Sequence, residues 1–107
     1  MMGRRCHRCT DGEGYCGIWP FQTGPDDPFN SACKLHDADF DAHHAGTSDK
    51  TRAEVDGDFL LRMMAIATRE PEKRKRTKLI KRAWGYYRIV RGPLGWMAWQ
   101  GLLQWLP

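Results

Sequence analysis

Pro25 to Asp41 reads PDDPFNSACKLHDADFD, and this stretch decides how the rest of the chain is read. Asp27 suits a helix N-cap and Pro28 the first helical position, where its missing N–H costs nothing. Gly46 after Ala45 supplies a natural stop, so the stretch predicts one helix over Phe29–Ala45. At helical spacing Phe29, Cys33, His36, Phe40 and His44 share one side, while Asp37 turns to the flank. A histidine and a carboxylate therefore meet at the buried edge of a helix.

A second helix follows. Ser48 is a suitable N-cap, and Phe59, Leu60, Met63, Met64 and Ala67 recur at helical intervals up to about Arg69, before Pro71. Asp56 lies one turn before Phe59 and Leu60 on that apolar stripe. A carboxylate there is costly unless paired, and a histidine on the facing helix is the obvious partner. Asp58 points elsewhere and reads as solvated. Arg69–Lys78, REPEKRKRTK, is a charge run with Pro71 at a helix start. Leu79, Ala83, Tyr87 and Val90 then predict a third, strongly basic helix to about Arg91, ended by Gly92-Pro93. The uncharged end, PLGWMAWQGLLQWLP, sets Trp96, Trp99 and Leu103 along one side, with Trp105 beyond. Tryptophan suits membrane interfaces and protein interfaces alike.

Charge is divided along the chain. Nine of the 13 acidic residues lie between Asp26 and Asp58, and ten of the 17 Lys and Arg lie from Arg69 to Arg91. A basic half of this kind draws anionic partners. With 107 residues the chain predicts one small all-α domain, a core over about 15–70 and a basic, Trp-rich helical tail over about 71–107. A domain of this size often gains from disulfides or a metal. No apolar stretch follows Met1–Arg5 as a secretory signal would need, and Gly92–Pro107 is shorter than the ~20 residues that cross a bilayer.

The four cysteines, Cys6, Cys9, Cys16 and Cys33, allow three disulfide pairings. Cys6, Cys9, Cys33 and His36 also form a zinc set of CxxC and CxxH spacing, which would turn the basic half into a zinc-stabilised nucleic-acid-binding domain. Against that use, the Lys73–Lys81 run carries no interleaved aromatics.

In order and spacing Pro25, Asp27, Asn30, Cys33, His36, Asp37 and Phe40 resemble the active-site helix of the calcium-dependent phospholipase A2 superfamily. Tyr15-Cys16-Gly17 looks like that family's calcium loop, and Val55-Asp56-Gly57-Asp58-Phe59 is similar to the second helix of its virion-borne members. The resemblance spans roughly Tyr15 to Met64. It implies two antiparallel core helices carrying a His/Asp site. It implies His36 as general base and Asp56 as its supporting carboxylate. A calcium ion would be held by Asp37 and the carbonyls of Tyr15, Gly17 and Trp19, and a Cys16–Cys33 bridge would tie loop to helix. The implied reaction is hydrolysis of the second acyl ester of a glycerophospholipid, by a secreted or virion-associated protein working at a phospholipid membrane surface. The resemblance does not reach the Trp-rich tail, whose tryptophans suit a protein partner or a second copy as well as lipid. The family usually has tyrosine where Phe40 stands, so a catalytically weak, phospholipase-like binding module is the neighbouring expectation.

Overall fold

The computed structural model describes residues 27–102, which form four helices: α1 (Asn30–His44), α2 (Arg52–Thr68), α3 (Lys73–Arg91) and α4 (Pro93–Trp99). The described part is thus all-α. None of its helices is long and apolar enough to cross a membrane.

Helix α1 starts slightly later than the Asp27 cap predicts. The chain first makes a turn in which Phe29 N–H donates to Asp27 Oδ1 at 2.8 Å and Asn30 N–H donates to the Asp27 carbonyl at 3.2 Å. Asp27 thus satisfies backbone donors ahead of the helix, as a cap does, but one step outside it. Its other oxygen, Oδ2, accepts from Arg82 Nη2 and Tyr86 Oη, both at 2.6 Å. This nearly buried carboxylate therefore pins the start of α1 to α3, and Phe29 completes the junction by packing edge-on to Tyr86 with ring centroids 5.9 Å apart. At the other end, Gly46 adopts a positive φ of 76°, which lets its N–H reach the His43 carbonyl and closes α1.

Helix α2 begins at Thr51, not Ser48. The Thr51 hydroxyl accepts from Glu54 N–H at 3.1 Å and the Glu54 carboxylate accepts from Thr51 N–H at 2.8 Å, so two orphan donors are satisfied reciprocally. Ser48 lacks a glutamate three residues on, and its hydroxyl accepts from Lys50 N–H in the preceding loop. Val55, Phe59, Met63 and Ala67 then recur every fourth residue and are all buried.

The core has two clusters. Phe29, Ala32, Cys33, Phe59, Met63, Ala67, Ala83 and Val90 form the first, drawn from α1, α2, α3 and the turn before α1. Phe40, Val55 and Ala98, with Leu94 and Trp99 packed against them, form the second, so α4 belongs to the core. The two aligned tryptophans of the sequence reading accordingly part company: Trp96 is half-exposed, while Trp99 packs on Phe40 at 5.1 Å between ring centroids. Leu103 and Trp105 lie outside the described residues.

Gly95 makes the α3–α4 elbow possible. A Cβ at this position would be driven into the Val90 carbonyl, so only glycine lets α4 fold back so closely on the end of α3.

Candidate active site

Packing of α1 against α2 sets His36 beside Asp56 at the seam between the two core clusters. Phe59 of the first cluster stacks on the His36 ring at 4.3 Å and Phe40 of the second leans on it at 4.8 Å. Between these rings, His36 Nε2 donates to Asp56 Oδ1 at 2.8 Å. An ionised carboxylate only accepts, so this bond keeps the proton on Nε2 and leaves the lone pair on Nδ1. Asp56 has no exposed surface and His36 is 7% exposed, so the pair works in a medium where charge is poorly screened.

Two arginines, neither of them legible as site residues in the sequence, complete the surroundings of Asp56. Arg91 Nη1 donates to Asp56 Oδ2 at 3.0 Å. Arg52 Nε stands 3.8 Å from the same oxygen, while its Nη2 donates to the carbonyls of Val90 and Gly92 at 3.2 and 3.0 Å. Arg52 is four residues before Asp56 on α2, a spacing that could have signalled the contact. Arg91 is 35 residues away in sequence, and no local pattern announces it.

Lys81, Arg82, Arg88 and Arg91 are the basic residues of α3 that the sequence offers to an anionic surface, and the structure divides them. Arg82 and Arg91 keep exposed surface but are engaged by Asp27 and Asp56. Lys81 and Arg88 are exposed on α3, as are Arg74 and Lys78. Trp84, also exposed, joins them there. Asp58 pairs with Lys50 at 3.1 Å, away from His36.

Asp37 is buried beside His36 and offers a hard oxygen donor of the kind calcium takes. The other implied ligands, the carbonyls of Tyr15, Gly17 and Trp19, lie outside the described residues. Among the described residues, no three His, Cys, Asp or Glu side chains gather where they could hold a metal ion. Cys33 is in a disulfide whose second cysteine lies outside the described residues, and so does Cys16, the partner that the resemblance implies. An oxidised sulfur is not a zinc thiolate, so the set of Cys6, Cys9, Cys33 and His36 loses a ligand.

At the far end of α1, His43 and His44 both donate from Nε2 to the Trp99 carbonyl, at 3.1 and 3.0 Å, and His43 stacks on the Trp99 ring at 3.6 Å. Burial holds the His43 pKa below its usual value and the neighbouring His44 lowers it further, with the bond to Trp99 offsetting part of this. The unfolded chain therefore takes up a proton at His43 before the folded one does. Stability from this group is present above the unfolded pKa of about 6.5 and is lost as pH falls through it toward the lower folded value. In urea titrations, His43→Gln should flatten the loss of stability between pH 7.5 and 5; an unchanged slope would refute this role.

Compared with known proteins, the chain matches no protein-family model, no curated protein and no solved structure.

Proposed function

We propose that the protein is a calcium-dependent lipid esterase of phospholipase A2 type, cleaving the second acyl ester of a glycerophospholipid. The observation that carries this reading is the buried bond from His36 Nε2 to Asp56 Oδ1, with Asp37 on the same helix beside it. His36 Nδ1 takes a proton from water as the water attacks the ester carbonyl. The imidazolium so formed is stabilised by Asp56 and returns its proton to the departing alkoxide. Water thus adds across the ester, giving a fatty acid and a lysophospholipid, with no covalent intermediate. Phe59 and Phe40 pack against the His36 ring and restrict its rotation. Asp37, with the carbonyls of Tyr15, Gly17 and Trp19, would hold calcium, which supplies polarisation of the carbonyl and stabilisation of its oxyanion.

The surface brought to lipid is the outer side of α3, where Lys81, Arg88, Arg74 and Lys78 are exposed on the same side as Trp84, with Trp96 exposed on α4. Each basic residue near an anionic bilayer contributes about 1 kcal/mol, screened by salt, and the tryptophans add an apolar contribution that salt barely changes. The experiment is to compare Lys81→Glu/Arg88→Glu with the unmodified chain on anionic vesicles and on a short-chain monomeric ester, each with and without calcium. Vesicle hydrolysis should fall about tenfold or more in the double variant, with calcium-dependent ester hydrolysis kept. Equal vesicle hydrolysis by both proteins would remove the lipid surface from α3. Absence of ester hydrolysis in both would sink the enzymatic reading.

A further inference from the structure

Asp56 is a carboxylate without exposed surface, and its second oxygen is claimed from outside the α1–α2 pair. Arg91, the last residue of α3, reaches it at 3.0 Å. Behind it, Arg52 spans the Val90 and Gly92 carbonyls at the end of α3, with Nε buried, without a hydrogen-bond partner among the described residues and 3.8 Å from Asp56 Oδ2. Phe40, packed on His36, has no hydroxyl to offer Asp56.

We propose that Arg91 is a positioning residue for the His36–Asp56 pair, completing a His–Asp–Arg relay in which the α3–α4 elbow sets the base. The inference rests on the esterase reading above. A carboxylate held on one oxygen only can rotate, and once Oδ1 swings off Nε2 the histidine proton is free to move to Nδ1, which disables Nδ1 as a base. A guanidinium on Oδ2 opposes this, because its directional N–H fixes the carboxylate plane so that Oδ1 stays on His36. Arg52 holds the end of α3 in place and so sets where Arg91 begins.

A role limited to neutralising a buried charge would alter stability alone, so the test reads the histidine itself. Arg91→Gln and Arg91→Lys are made in the full chain, with histidine labelled by nitrogen-15. Long-range proton–nitrogen spectra at pH 8 should show His36 as a single Nε2–H tautomer in the unmodified protein and a mixture in Arg91→Gln. On the monomeric ester, kcat should fall about tenfold in Arg91→Gln with KM within about twofold. Should Arg91→Gln not fold, Arg91→Lys decides, since it keeps the charge but replaces the planar fork with a point donor: kcat should fall about threefold with KM unchanged. An unchanged tautomer in Arg91→Gln, or an undiminished kcat in Arg91→Lys, overturns the proposal. If the unmodified protein hydrolyses nothing, the esterase reading falls, while the tautomer spectra still decide the role of Arg91.

Discussion

His36→Ala should lower ester hydrolysis by about a thousandfold or more, because it removes the group that takes the proton from water, a step that alone is worth some 10²–10⁴ in rate. Its neighbours should follow in a fixed order. Asp56→Asn keeps the shape but not the charge, so the imidazolium loses its stabilising partner and the rate should fall roughly a hundredfold. Asp58→Asn should leave the rate within about twofold, since Asp58 faces Lys50 and not the site. Initial rates on a monomeric ester, with folding verified by circular dichroism, check the series. A larger loss in Asp58→Asn than in Asp56→Asn would mean that the supporting carboxylate is wrongly assigned.

The second large effect is on stability and turns on one glycine. Gly95→Ala would force a Cβ into the Val90 backbone, which is the body of α3 and not a side chain that can swing aside. Helix α4 would have to lift, exposing Ala98, Leu94 and Trp99 and uncovering Phe40 and Val55. Overpacking of this kind costs about 3 kcal/mol. For a domain of this size that is roughly 15 °C in Tm. The same substitution at Gly85 should act in the opposite direction. Gly85 lies inside α3 with nothing within 4 Å of an added Cβ, so alanine relieves the helix of glycine's entropy and raises stability by up to about 1 kcal/mol. Thermal melts of the two variants side by side separate a general glycine effect from the close approach at the elbow.

Much of the fold was legible in the sequence because each signal was local. The periodicity of Phe59, Met63 and Ala67 marked the inner face of α2, and Asp56 stood out on that face because an unpaired buried carboxylate is too costly to leave there. Those facts led to His36, and the two side chains meet at 2.8 Å. The start of α2 is less legible, because Ser48 and Thr51 both resemble caps and only the reciprocal bond with Glu54 distinguishes them. The basic half was harder. Arg82 and Arg91 are sequence neighbours of Ala83 and Val90, the buried residues of α3, so each sits at the edge of the inner stripe. Whether such an arginine turns inward depends on a carboxylate waiting on another helix, and that is a property of packing. Trp99 was read as aligned with Trp96 for the same reason: three residues apart on a short helix, one can face solvent and the other the core once a second cluster lies beneath.

The most direct test of the central claim uses the full chain and a phosphatidylcholine with different acyl groups on its two esters, with products identified by mass spectrometry in calcium and in chelator. Free acid from the second ester and lysophospholipid should appear in equimolar amounts with calcium, and both should be lost in chelator and in His36→Ala. Folded protein that releases no acid in calcium, or that releases it equally in chelator and in His36→Ala, would contradict the claim.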